Sequence, residues 1–233
     1  MKRYSFWTEI AKTVARSARL LDVAFGIPQA GRYGAGVGRP RKFVEEDVVS
    51  AAAALFAAQG YGATTLEDLM AATGLGRQSL YNSFGGKREL FLRALSDNTG
   101  EALRAIDDAF VPSDASPLER IRAHVLKQAV VFSGSSYEAS LFLKATLELG
   151  PRDPDVALTS RVTLDRLEGV YRRSIIDAQE AGEIDSAADP AALAGFFVAM
   201  TQGMQVLGVA GFDRAALTAT ALTALQALPA PRP

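Results

Sequence analysis

Apolar residues recur along the chain at intervals of three and four, the spacing that lines one face of an α-helix. Between residues 44 and 59 this puts Val48, Ala52, Leu55 and Phe56 on one side, with Glu45, Glu46 and Asp47 in front, where carboxylates complement the helix dipole. Helix-start signals recur: Thr64 and Thr65 each find an acid three residues on, Ser116-Pro117 finds Glu119, and Asp153-Pro154 and Asp189-Pro190 follow the same logic. Each offers a capping oxygen, and the prolines stand where a missing N–H costs nothing. Gly60, Gly150, Gly182 and Gly211 supply stops. No stretch alternates with period two, and no Asn-Gly or Asp-Gly marks a hairpin. The pattern predicts an all-α fold with helices over about 44–59, 66–72, 77–83, 87–106, 117–132, 138–149, 154–181, 190–209 and 213–228.

Two of these helices are short and adjacent. Leu66, Leu69 and Met70 drive the first, Thr73-Gly74-Leu75 breaks it, and Arg77-Gln78-Ser79-Leu80-Tyr81 opens the second, which is the pattern of a helix-turn-helix. Leu80 and Phe84 are expected in its core, leaving Arg77, Gln78, Ser79, Tyr81 and Asn82 outward. Arg grips guanine O6 and N7, Gln and Asn pair with adenine N6 and N7, and hydroxyls suit phosphates or base edges. Lys87 opens the next helix, where its ammonium and the helix amides meet one phosphate together, and Thr65 offers a hydroxyl beside another helix start. Ahead of them Arg39, Arg41 and Lys42 form a short basic arm suited to a minor groove.

Composition narrows the chemistry. The 233 residues include no cysteine and a single histidine, His124. Disulfides, thiol nucleophiles, cysteine-ligated metals and His-pair metal sites within one subunit are therefore excluded, and no cofactor or metal is expected. Gly85-Gly86-Lys87 lacks the earlier glycine of a phosphate-binding P-loop, so an enzyme is not expected. The net charge of −1 is unevenly spread: residues 1–36 carry +4, residues 37–97 balance, and residues 98–233 carry −5. A basic front suits a polyanionic partner. Glu9, Lys12, Arg16, Arg19 and Asp22 interrupt any secretory apolar run, so a cytoplasmic protein is expected. The uncharged stretch 190–212 is long enough to cross a bilayer but rich in Ala and Gly and interrupted by Thr201, Gln202 and Gln205; it reads as a packed helix, with no membrane partner expected.

The run Gly38-Arg39-Pro40-Arg41, Ala53, Leu55-Phe56, Gly60-Tyr61, Thr64-Thr65-Leu66, Thr73-Gly74-Leu75, Ser79-Leu80-Tyr81, Phe84 and Lys87 through Leu90-Phe91 resembles the N-terminal domain of TetR-type (tetracycline-repressor-like) regulators. The departure is Gly76, where the family usually has Ser. Residues 1–37 read as a peripheral extension, with Val37 as an alternative first residue; the resemblance implies residues 38–98 as the helix-turn-helix DNA-binding domain and residues 99–233 as an effector-binding and dimerisation domain. It implies a repressor that binds a palindromic double-stranded operator as a homodimer, joined through helices 190–209 and 213–228, and is released by a small molecule. Leu141 to Pro154 further resembles a TetR-type subgroup with a Leu-Glu-Leu-x-Pro-x-Asp-Pro signature; cysteine sensing, known in some of that set, does not transfer to this chain. Candidate effector contacts are His124, Phe132, Tyr137, Phe142, Lys144, Tyr171, Met200, Gln202 and Met204. For each, core packing is the competing reading, and for Lys144 it is a stem that carries its ammonium to solvent. The rival to a regulator is a helical adaptor that touches membranes through residues 1–28 and 190–212.

Overall fold

The computed structural model describes residues 45–135 and 137–231. Within them the helices are α1 (Glu45–Gln59), α2 (Leu66–Thr73), α3 (Arg77–Phe84), α4 (Lys87–Ala109), α5 (Pro117–Phe132), α6 (Leu141–Leu149), α7 (Pro154–Glu180), α8 (Pro190–Val209) and α9 (Arg214–Leu225). No strand occurs among the described residues, so the all-α expectation holds.

Most boundaries follow their caps. Thr65 and Ser116 each form a reciprocal capping box, with Asp68 and Glu119, while Asp153 and Asp189 accept amide protons ahead of Pro154 and Pro190. The expected start at 138 moves to 141 because Ser140 is the cap, accepting from the Leu143 amide; Asp213 likewise sets α9 to begin at 214. Gly74, at φ 71°, closes α2 in the left-handed conformation that lets α3 turn away within three residues.

Two apolar cores organise the helices. In the first, Val48, Val49, Ala52 and Phe56 of α1 meet Leu69 of α2, Leu80 of α3 and Leu90, Phe91, Ala94 and Leu95 of α4. Leu55, expected inward, is only half-buried. This core continues past residue 98, because Leu141 and Ala145 of α6 and Val156 of α7 close it. The second core joins Phe110 with Ile121, Val125, Ala129 and Phe132 of α5, Val170, Tyr171 and Ile175 of α7, Phe197 and Met204 of α8 and Leu217 and Ala221 of α9. Helix α4 spans the distance between them: its front half fills the first core, and Ile106 and Ala109 pack against the second. Its 23 residues amount to about 34 Å of continuous rod at 1.5 Å per residue.

Candidate nucleic-acid interface

Helix α3 buries Leu80 completely, with Phe84 half-buried beside it, and this anchors the helix by one face. Arg77, Gln78, Ser79, Tyr81 and Asn82 are then left exposed together over little more than one turn. Their hydrogen bonds are to one another and to α2. The Arg77 guanidinium donates to Glu67 Oε1 at 2.6 Å, and the Gln78 amide donates to Asn82 Oδ1 at 2.8 Å. Arg77 and Glu67 are both more than half exposed. Such a pair is worth about 0.2–1 kcal/mol, so it holds the guanidinium in place and is released at little cost. The Tyr81 ring lies against the Gly85–Gly86 turn, close enough to limit what Gly86 could carry, yet remains 45% exposed.

The flanking groups are more committed. The Thr65 hydroxyl donates to Asp68 Oδ2 at 2.7 Å and its amide donates to the same oxygen at 2.9 Å, so Thr65 is first a helix cap. Those bonds hold the Asp68 carboxyl below its usual range. The Lys87 ammonium sits 4.3 Å from the centre of the Tyr61 ring, a cation–π contact at the first residue of α4. Arg39, Arg41 and Lys42 lie outside the described residues.

The helix-turn-helix is held at the bend that leads into it by a clasp from α6. On α6, Lys144 and Glu148 stand one turn apart on an otherwise apolar helix. The Lys144 ammonium donates to the Ala57 carbonyl and, at 3.1 Å, to that of Ala58, capping the C-terminal end of α1. Glu148 accepts from the Tyr61 amide at 2.9 Å and the Gly62 amide at 2.6 Å. One α6 turn thus grips both sides of the bend between α1 and α2. A second tie lies alongside it: Arg88 of α4 makes paired 3.0 Å bonds to Asp153 and a 2.7 Å bond to Asp155 at the front of α7. Burial pushes the Asp153 carboxyl up, but the Val156 amide, the Arg88 guanidinium and the Asp155 amide together hold it below the usual range. Glu148 and Asp153 are the two acids of the Leu-Glu-Leu-x-Pro-x-Asp-Pro segment.

The candidate effector residues separate in space. Phe132, Tyr137, Tyr171, Met200 and Met204 belong to the second core, where the buried His124 ring joins Phe110 and Tyr171. Phe142 is buried on α6. Lys144 belongs with the clasp and points its ammonium at α1. Gln205, which the sequence reading missed, organises the polar part: its side-chain oxygen accepts from Tyr137 at 3.2 Å and Ser140 at 3.1 Å, and its amide donates to Gln202 at 3.2 Å. Burial pushes the Tyr137 hydroxyl up to about 12.

Residues 48–94 match the model of bacterial regulatory proteins of the tetR family, which covers α2, α3 and most of α1. The chain is 29% identical to the HTH-type transcriptional repressor ComR of Escherichia coli (strain K12) over 194 residues, 82% of this chain and 92% of that protein. It is 37% identical over 92 residues to the repressor BdcR of the same organism, 40% of this chain and 46% of that one. Among solved structures, a cysteine-substituted form of the TetR family transcriptional regulator CifR, complexed with 26-base-pair double-strand operator DNA, superposes with a TM-score of 0.73 at 25% identity, covering 82% of this chain and all of that one. The exposed α3 face, its capped helix-turn-helix frame and these likenesses lead to one assignment: residues 48–94 carry the DNA-binding domain of the TetR family, and the chain is a DNA-binding transcriptional regulator, not an enzyme.

Proposed function

We propose that the chain is a cytoplasmic homodimeric repressor that reads a palindromic operator through α3 and leaves it when a small molecule binds the second core. The observation that carries this reading is the α3 surface, five exposed base-reading or phosphate-binding side chains on a helix anchored by Leu80. Arg77, Gln78 and Asn82 are the base readers. Ser79, Tyr81, Lys87 and the start of α2 at Thr65 contact phosphates, and Arg39, Arg41 and Lys42 reach the minor groove. The repressor relatives and the operator-bound neighbour support it. The reading divides the chain as the sequence does, into an extension (1–37), a head (38–98) and a body (99–233), the clasp being the place where a change in the body is felt by the head.

Dimerisation is supported by α8 and α9. Helix α8 is the only described helix long and apolar enough to cross a membrane, yet its Phe197, Met204, Thr201 and Gln205 are buried among neighbouring helices. Its outer side exposes Phe196, Val206 and Val209, with Phe212 and Leu222 nearby in sequence on the following turn and on α9. An apolar helix with one side in the core needs its other side covered, and a second copy provides a two-fold partner with two heads. On α9, Leu217 is fully buried within the subunit and takes no part in that surface.

Operator binding is tested by fluorescence anisotropy on DNA from the protein's own upstream region, against scrambled DNA, across a salt series, with selection from random DNA if that region is silent. Specific binding tighter than to scrambled DNA by ~10³ or more, falling steeply with salt, is expected. A wild-type protein that selects no sequence would overturn the reading.

A further inference from the structure

The exposed surface of the helix-turn-helix breaks two local preferences at once. Arg77 is the first residue of α3, where the helix dipole opposes a cation, and Gly76 before it supplies no side-chain cap. Glu67 lies exposed in the first turn of α2, two residues after Thr65, where a carboxylate repels a polyanionic partner. The α2 dipole alone would accommodate an acid there, but Asp68 already completes the cap with Thr65. What distinguishes Glu67 is its bond: Oε1 accepts from Arg77 Nη2 at 2.6 Å, across the turn and ten residues on.

That bond leaves the reading chemistry intact. A guanidinium carries five N–H donors, and the bond to Glu67 uses one of them, so the paired contact to guanine O6 and N7 is still available. What is removed is freedom. An unheld arginine swings between phosphates and any base acceptor, whereas a fork fixed before contact discriminates by position. Water screens the pair in the free protein; at the floor of a groove that water leaves, and the charge-assisted bond strengthens. One turn along α3 the Gln78 amide donates to Asn82 Oδ1 at 2.8 Å. Those two readers hold each other with no acid involved, and they provide an internal comparison.

We infer that Glu67 is a positioning residue for sequence reading: it holds Arg77 on one guanine of each operator half-site, at a cost in non-specific affinity. This rests on the operator-reading α3 proposed above and adds a residue of α2 that acts through Arg77. The half-site then contains a G·C base pair whose recognition depends on α2 as well as α3.

Selection from random DNA with the full chain gives the operator, and fluorescence anisotropy then compares it with copies in which one symmetric base pair is changed. Arg77→Ala is expected to lose the preference for one G·C base pair, and Gln78→Ala the preference at a different position. Glu67→Ala keeps the helix propensity of α2. It is expected to lower the preference for the Arg77-dependent G·C by ~3-fold or more, to leave the Gln78-dependent position unchanged, and to tighten binding to scrambled DNA by ~2-fold or more at low salt. Glu67→Gln loses the same charge but keeps an acceptor oxygen, so it is expected to restore most of the G·C preference while binding scrambled DNA as the Ala variant does. Unchanged preference at the Arg77-dependent G·C in Glu67→Ala would overturn the inference, and so would an even loss at all positions, which a weakened α2 would produce. A Gln variant that loses as much as the Ala variant would assign the effect to charge and remove the positioning role, as would an Arg77→Ala protein that keeps every G·C preference. A wild-type protein that selects no sequence removes the operator reading itself, whereas a selected operator indifferent to Glu67 removes this role alone.

Discussion

At the residue scale, burial decides what His124 does. Removal from water, and next the charge of Lys127, lower its pKa from 6.5 to about 4. An unfolded imidazole titrates near 6.5, so between about pH 6.5 and 4 the unfolded chain holds more protons than the folded one, and stability falls as the pH falls through that window. The loss from pH 7.5 to 4.5 amounts to about 2–3 kcal/mol from this group. His124→Phe should abolish that part of the decline, read as the difference between wild-type and variant urea midpoints at the two pH values. A smaller effect is expected at Gly76, which begins α3 without a side-chain cap and has open space where a Cβ would go. Gly76→Ser should stabilise by a few tenths of a kcal/mol, seen as a rise in urea midpoint with no change in slope. The polarity of these residues is plain from the sequence. That His124 is buried, that Gln205 rather than Gln202 joins Tyr137 to Ser140, and that Lys144 faces α1 are not, because each depends on which distant helix lies opposite.

At the scale of elements, periodicity and caps locate the helices to within about three residues, since both are local properties of the chain. The junctions between helices are different. Glu148 has its partners 86 and 87 residues away, and no local rule points to them; only the oppositely charged pair one turn apart on an apolar helix hinted that α6 had a polar contact. Glu148→Ala should release the Tyr61 and Gly62 amides. The expected outcome is a cost of about 1 kcal/mol and faster hydrogen exchange at those two amides, with α5 and α9 unaffected. A uniform increase in exchange across all helices would show that the clasp is not local. Gly60 is tied to the same contact: its φ of 83° favours glycine, and a Cβ there would stand 2.9 Å from the Glu148 carboxylate, so a side chain would also push that carboxylate aside.

At the scale of the whole molecule, the exposed side of α8 is apolar and has no cover within the subunit. Phe196 is 42% exposed and Val206 51%, on a helix without a charged residue. If a second copy covers them, Val206→Glu places an unpaired charge in a two-fold interface twice over. Sedimentation should then report a monomer where wild type is a dimer, and operator affinity should fall by ~10-fold or more because one head replaces two. A variant that sediments and binds as wild type would remove α8 from the interface.

What the sequence determined by itself was everything that depends on near neighbours along the chain: an all-α fold, the caps, the helix-turn-helix with its spacing of Thr65, Leu80 and Tyr81, and the polar face of α3. Helix periodicity, capping and turns act over three to seven residues, so they are written in the order of the residues. Tertiary structure decided what depends on proximity without adjacency: that α6 and α7 close the first core, that Lys144, Glu148, Arg88 and Asp153 tie α6 and α7 to α1, the α1–α2 bend and α4, and that His124 and Tyr171 are buried together beside Phe110. These contacts join residues tens of positions apart, and their strength comes from burial and geometry that exist only once the helices have packed.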